Sequence, residues 1–236
     1  MADSLSLRRM QAAILLFHGV DVLDFAGPLE VLSHAGSDLD PEKSKPLFEI
    51  SLVAKDELVR TASNLTVKRS LSLDEAHDRL SEFEVLVIPG GPPKVIMPLI
   101  ESGSPELQLI RNFAELSAPS PDRILFSVCT GALLLGGAGL LEGKSATTHH
   151  RALDALRTVC QTAAGRADAA PTKVVHARLL DGGLLASGAR IITAGGITSG
   201  LDATLYVVAL KTSRAAAESV ARRMEYDWRQ EEGVTA

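Results

Sequence analysis

Three short apolar runs alternate with helix-forming segments, and this alternation most limits the folds open to the chain. The runs are Gln11–Phe17, Glu84–Ile88 and Ile124–Val128. Strands that are apolar along their whole length are typical of parallel sheets, where helices bury both faces. We therefore predict an α/β fold with a mostly parallel sheet and helices on both faces.

The remaining pattern completes this architecture within a single domain over residues 1–236. Residues 1–10 read as a polar lead-in and residues 231–236 as a flexible tail. A β-hairpin is predicted over Arg178–Ser187, with its turn at Asp181-Gly182-Gly183. Further helices are predicted over Asp24–Ala35, Pro105–Leu116, Thr130–Leu141, Arg151–Val159, Ser199–Lys211 and Arg214–Gln230.

Charge and composition exclude several classes of protein. The chain has 24 basic and 29 acidic residues, a net charge of −5, whereas a nucleic-acid-binding domain normally carries a basic excess. It has no apolar run of about 18 residues, so we expect no membrane span. Two cysteines allow neither a disulfide framework nor a cysteine-rich zinc site, and we expect a cytoplasmic protein without a bound metal.

Cys129 is the strongest candidate nucleophile. It follows the apolar run Ile124–Val128 directly and precedes a helix-forming segment. A residue at such a sharp strand-to-helix turn projects into the site at the sheet edge. The positive end of the following helix is expected to lower the pKa of the thiol. A buried structural cysteine is the competing interpretation, and for Cys160 an inert thiol is the favoured one.

Two further elements follow predicted strands. Asp24 comes after the first apolar run, where it is either an N-cap residue of the next helix or a site carboxyl. Pro89-Gly90-Gly91 follows the second run, where paired glycines leave backbone amides free for an anion. Ligands in open α/β sheets bind at the carboxyl ends of strands, so we expect both elements to lie near Cys129.

These residues resemble the DJ-1/PfpI (ThiJ/PfpI) superfamily. The resemblance covers most of residues 11–210 and is carried by five segments: LDFAGPLE at Leu23–Glu30, IPGG at Ile88–Gly91, SVCTGALLLGGAGLL at Ser127–Leu141, ATTH at Ala146–His149 and GGITSGLD at Gly195–Asp202. It implies a flavodoxin-like sandwich similar to class I glutamine amidotransferases, assembled as a homodimer. Asp24 together with Cys129-Thr130 is most similar to the isocyanide (isonitrile) hydratase branch.

The resemblance also implies a mechanism that needs no cofactor. Cys129 would attack the terminal carbon of an isocyanide, and Asp24 would act as acid and then as base, yielding an N-formamide. Thr130 would position Asp24 or water through its hydroxyl, and the backbone amides of Gly91 and Thr130 would form an anion hole. Gly90 and His149 would line the site.

Two other functions remain open at this stage. One is a glyoxalase-like or deglycase-like enzyme that acts on small carbonyl compounds through Cys129 and an acidic residue. The other is a non-catalytic binding or redox-sensing protein in which Cys129 oxidises beside Asp24. Several branches of the superfamily place histidine directly after the cysteine, whereas this chain has Thr130 there.

Overall fold

A central seven-stranded sheet organises the chain. The computed structural model describes residues 9–36, 38, 44–116, 123–166 and 168–230. The strands are β1 (Met10–Leu15), β2 (Phe48–Ala54), β3 (Leu58–Arg60), β4 (Thr66–Lys68), β5 (Leu71–Ser72), β6 (Phe83–Ile88), β7 (Ile124–Ser127), β8 (Ser145–Ala146), β9 (Lys173–Val174), β10 (Leu179–Leu184) and β11 (Arg190–Ala194).

The strand order of the central sheet is β10-β11-β7-β6-β1-β2-β5. All neighbouring pairs are parallel except β10 and β11, which form the antiparallel edge. Strands β3 and β4 form a small antiparallel pair, and β8 and β9 form a small parallel pair. The predicted mostly parallel α/β sheet is confirmed, and β1, β6 and β7 lie side by side at its centre.

Helices pack against this sheet in two layers. One layer contains α1, α7 and α8, and the other contains α3 to α6 with α2 beside α4. Their bounds are α1 (Val22–His34), α2 (Leu73–Asp78), α3 (Pro93–Glu101), α4 (Pro105–Glu115), α5 (Gly131–Gly137), α6 (Leu153–Ala164), α7 (Ser199–Lys211) and α8 (Arg214–Arg223), with single 3₁₀ turns at Leu80–Glu82 and His150–Ala152.

The core lies between the central strands and both helix layers. Residues Val85–Ile88 and Ile124–Phe126 are at most 2% exposed, as expected for strands covered on both faces. Helix α5 is buried along its entire length, Gly131–Gly137, which explains why its sequence is apolar all round. Burial of this kind stabilises the fold by about 25 cal/mol per Å² of apolar surface.

The predicted start of the first helix was wrong. Helix α1 begins at Val22 with Asp21 as its N-cap residue, so Asp24 lies inside the first turn. Pro28 is therefore in the helix interior and not near its start. The cap interpretation of Asp24 fails because its carboxylate accepts a hydrogen bond from the distant Gly90 amide instead.

The predicted hairpin exists, but its turn lies further along the chain. Asp181 binds the backbone N–H of Gly183 and forms an ion pair with Arg190, so this stretch continues as a bulged strand. The reversal is closed by a hydrogen bond from the Leu185 N–H to the Ala189 carbonyl, at 2.7 Å. Gly188 supplies the positive φ of 90° that this turn requires.

The last helix is shorter than predicted, ending at Arg223 instead of Gln230. The chain leaves the helix because the buried carboxylate of Asp202 binds the segment that follows. The hydroxyl of Tyr226 donates a hydrogen bond to the carboxylate of Asp202. The backbone N–H of Arg229 donates a second one to the same carboxylate, at 2.9 Å. These bonds hold the segment after α8 against the start of α7.

Two predictions concern the ends of the chain, a polar lead-in and a flexible tail, and both fall largely outside the described residues. Of the polar lead-in at residues 1–10, only Arg9 and Met10 are described, and Met10 already belongs to β1. The tail at residues 231–236 lies outside them. Among the described helices, none combines the length and the apolar character needed to cross a membrane.

Candidate active site

Cys129 occupies a strained turn between β7 and α5. Its φ is +57°, a conformation that is uncommon for a residue with a side chain. Its N–H donates to the Gly195 carbonyl at 2.9 Å, and its carbonyl accepts from Thr148 Oγ1 at 2.8 Å. Gly131 lets the turn pack tightly, because a Cβ there would lie 2.1 Å from the Ile88 carbonyl oxygen. The neighbouring strands thus fix the thiol at the carboxyl edge of the sheet.

Asp24 faces this thiol from helix α1. Its side chain is fully buried, and its Oδ2 accepts the Gly90 N–H at 3.0 Å. A Cβ on Gly90 would lie 2.9 Å from that oxygen and 2.5 Å from Thr130 Oγ1, so only glycine allows this approach. The loop after β6 therefore orients the carboxyl of Asp24.

Thr130 joins the cysteine turn to the same loop. Its Oγ1 accepts the Gly91 N–H at 2.8 Å and donates to the Gly91 carbonyl at 2.6 Å. The amide of Gly91 is thus bound to a hydroxyl, which differs from its predicted place in an anion hole. The backbone amides that favour the thiolate form of Cys129, and so oppose the rise in its pKa, are those of Thr130 and Ile197.

Burial raises the pKa values of both groups of the pair, the Asp24 carboxyl and the Cys129 thiol. It raises the pKa of Asp24 from 3.8 to about 7, and the charge of Asp21 adds to this shift. Burial and the charge of Asp24 raise the pKa of the Cys129 thiol to about 12, although the amides of Thr130 and Ile197 oppose them. The expectation that the helix end lowers this pKa was wrong, because loss of solvent and the facing carboxylate outweigh the amides.

A second carboxylate, which sequence reasoning missed, belongs to the site. One oxygen each from Asp21 and Asp24 and the Cys129 sulfur all lie within 4.8 Å of one another. A signal was available, because two acids three residues apart at a helix start lie on one face. Thiol and carboxylate groups also bind divalent metals in general, so the expected absence of a metal remains a prediction.

A groove of about 470 Å³ adjoins this cluster. It shares Gly195 and Ile197 with the surroundings of Cys129, and His149 is among the residues that line it. Gly196 admits the imidazole, since a Cβ there would lie 2.5 Å from His149 Cδ2. Burial lowers the pKa of His149, and Asp21 opposes that shift through its charge.

Cys160 lies away from this cluster. It is a half-buried residue of α6, and its sulfur packs near Gly136. Burial raises the pKa of its thiol. In the described part of the chain, the cluster of two carboxylates and a sulfur contains Cys129 and not Cys160, and the inert character of Cys160 stays a prediction.

The fold and this cysteine–carboxyl site define a class of α/β proteins in which a cysteine occupies the tight turn between a central strand and the next helix. The chain belongs to the DJ-1/PfpI family, whose model matches residues 10–210. The structure is similar to that of a ThiJ/PfpI family protein from Pseudomonas syringae, with a TM-score of 0.71 and 25% identity. That similarity covers 96% of this chain and 81% of the other.

Two further similarities refine the comparison. The chain is 33% identical to the isonitrile hydratase of Pseudomonas putida over 218 residues, which covers 92% of this chain and 78% of that protein. The fold is also shared with Schizosaccharomyces pombe DJ-1, with a TM-score of 0.68 and 18% identity over 92% of this chain and all of the other. The flavodoxin-like, class I glutamine amidotransferase-like fold is thereby confirmed.

Proposed function

We propose that the protein hydrates isocyanides to N-formamides through a covalent intermediate on Cys129. The observation that carries the proposal is a fully buried carboxyl, Asp24, that faces a thiol held at a strained turn. Similarity to a protein named isonitrile hydratase supports the substrate class. The reaction requires a soft nucleophile and a proton donor at one carbon, and this pair supplies both.

Asp24 and Cys129 together hold at least one proton at neutral pH. With the pKa of Asp24 at about 7 and that of the thiol at about 12, removal of both protons is strongly disfavoured. A thiolate beside a neutral carboxyl and a thiol beside a carboxylate carry the same net charge. The amides of Thr130 and Ile197 stabilise the thiolate form, which is the nucleophile.

The first half of the reaction forms a thioimidate. The thiolate electron pair makes a carbon–sulfur bond to the terminal carbon of the isocyanide. Asp24 gives its proton to the same carbon, which leaves a carbon–nitrogen double bond and a carboxylate. Burial favours this step, because a neutral acid near pH 7 is a better donor than an exposed aspartate, which is already ionised.

The second half consumes water. Its oxygen adds to the thioimidate carbon, one water proton reaches nitrogen, and the carbon–sulfur bond then breaks. The remaining hydroxyl proton returns to Asp24, so the product is an N-formamide and the starting proton count is restored. The reaction neither oxidises nor reduces any group, so we propose that it needs no redox cofactor.

The redox-sensing alternative is less well matched by this site. Sensor thiols are solvent-accessible. Cys129 is 3% exposed. A glyoxalase-like or deglycase-like activity would use the same pair and is distinguished by its substrate.

A parallel assay tests the proposal. The purified protein receives cyclohexyl isocyanide in one reaction and methylglyoxal in another, with product identification by mass spectrometry. We expect N-cyclohexylformamide and no lactate. Dialysis against EDTA should leave the rate unchanged if the reaction is metal-free. Turnover of methylglyoxal alone would favour the carbonyl alternative, and absence of both products would contradict the proposal.

A further inference from the structure

Asp21 holds the N-cap position of α1 but does not cap the helix. Its side chain makes no hydrogen bond to the first turn, although aspartate at this position normally accepts one. Its backbone is nevertheless fixed, because its N–H donates to the Gly90 carbonyl at 3.0 Å. A side chain that forgoes a cap bond of about 1 kcal/mol is available for another role.

That side chain lies beside the buried pair and is itself partly exposed. An oxygen of Asp21 is within 4.8 Å of both the Asp24 oxygen and the Cys129 sulfur. Asp24 is fully buried, whereas Asp21 is partly exposed. A carbon bonded to the Cys129 sulfur would therefore have both carboxyls nearby, and Asp21 is the more exposed of the two.

The two carboxyls have different environments. Deep burial raises the pKa of Asp24 to about 7, so this carboxyl can carry a proton near neutral pH. Asp21 is less buried, and the charge of His149 counters the rise in its pKa. Where two neighbouring carboxyls have different pKa values, the one with the higher pKa commonly acts as the general acid and the other as the general base. In this pair, Asp24 is the acid by environment and Asp21 the base.

We propose that Asp21 is the general base that activates water in the second half of the reaction. The proposal rests on the hydratase function above. Asp21 takes a proton from water as the water oxygen bonds to the thioimidate carbon. The carbon–nitrogen π electrons move to nitrogen, which receives that proton from Asp21. The carbon–sulfur bond then breaks, and the hydroxyl proton passes to the Asp24 carboxylate.

This division of roles predicts which intermediate accumulates in each variant. Asp21→Asn keeps a side chain that suits an N-cap position and should still form the thioimidate. Its hydrolysis should slow by roughly 10²- to 10⁴-fold, the usual contribution of general acid–base catalysis. Asp24→Asn should fail earlier, because no proton is delivered to the isocyanide carbon.

The experiment is intact-mass analysis of quenched reactions with cyclohexyl isocyanide. We expect Asp21→Asn to gain the mass of one isocyanide on Cys129 and Asp24→Asn to gain none. Asp21→Glu, which retains a carboxylate, should recover part of the turnover. Asp74→Asn is the matched control, since Asp74 is an exposed first-turn aspartate of α2. Its variant should turn over like the wild type.

Three outcomes would overturn the inference. In the first, Asp21→Asn turns over at the wild-type rate, which would show that Asp21 is not the general base. In the second, Asp21→Asn fails to form the adduct, which would show that Asp21 is already needed for thioimidate formation. Both leave the wild-type hydratase activity intact, so neither contradicts the proposed function. Absence of wild-type activity would remove both proposals. If Asp21→Asn does not fold by circular dichroism, Asp21→Ser, another N-cap residue, takes its place.

Discussion

The hydroxyl of Thr130 binds both backbone polar groups of Gly91. It accepts the glycine N–H at 2.8 Å and donates to the glycine carbonyl at 2.6 Å. The side chain is 5% exposed, so water cannot easily replace these bonds. This contact fixes the loop that orients Asp24 relative to the turn that carries Cys129.

Thr130→Val should therefore weaken both activity and stability. The substitution keeps the shape but leaves the N–H and carbonyl of Gly91 unpaired, which costs about 1–3 kcal/mol in the free energy of unfolding. We expect isocyanide turnover to fall by roughly ten- to a hundredfold as the loop loosens. Thr130→Ser retains the hydroxyl and should remain close to wild type. Equal behaviour of the Val and Ser variants would show that the hydroxyl has no role.

Asp24 makes stability depend on pH in a direction opposite to that of a salt-bridged aspartate. Its folded pKa of about 7 exceeds the ordinary 3.8, so the folded state binds this proton more tightly than the unfolded chain. The stabilisation is complete below pH 3.8 and is lost as pH rises through about 7. Between pH 5 and pH 8 the loss is on the order of 2 kcal/mol.

Asp24→Asn removes this dependence, and urea unfolding at both pH values measures it. The wild type should lose stability relative to the variant on going from pH 5 to pH 8. Asn is also unable to transfer a proton, so turnover should fall by roughly 10²- to 10⁴-fold. A constant difference in stability between the two proteins across this range would contradict the raised pKa.

The positive φ of Cys129 predicts an unusual preference for glycine. At +57°, a Cβ costs roughly 1 kcal/mol, so Cys129→Gly should be more stable than Cys129→Ala by about that amount. Ala132→Gly, inside α5, is the control and should destabilise, because glycine is a poor helix residue. Thermal unfolding measures both differences. Higher stability of Cys129→Ala than of Cys129→Gly would mean that the turn is unstrained.

The family resemblance predicts a homodimer, and a two-fold dimer is also the commonest assembly. Light scattering should give about twice the chain mass of 25.0 kDa. Dilution should not change this value over the concentrations used for assays. A species near the mass of one chain would contradict the prediction.

Much of the architecture could be predicted because it depends on local patterns. The run Ile124–Val128 predicted strand β7, and Ser199–Lys211 was predicted with the bounds that α7 has. Cys129 and Asp24 were predicted to meet because both follow strands at one sheet edge, and the structure brings them together. Residues that follow neighbouring strands of a parallel sheet lie at the same edge, so their proximity can be predicted from the sequence.

The remaining features depend on contacts between distant parts of the chain. Asp24 was also a candidate N-cap because the Gly90 amide, 66 positions away, is invisible to a local pattern. The direction of the Cys129 pKa shift was wrong because burial and a facing carboxylate are tertiary effects. Asp21 was missed although its spacing from Asp24 offered a signal, because its distance from the sulfur depends on where the cysteine turn lies.

A comparison of the two cysteines tests most directly the central claim that Cys129 is the nucleophile. The measurement is the rate of N-cyclohexylformamide formation by Cys129→Ala and Cys160→Ala, each with a melting curve. We predict that Cys129→Ala loses turnover while remaining folded and that Cys160→Ala keeps the wild-type rate. Full turnover by a folded Cys129→Ala would contradict the account, as would a loss confined to Cys160→Ala.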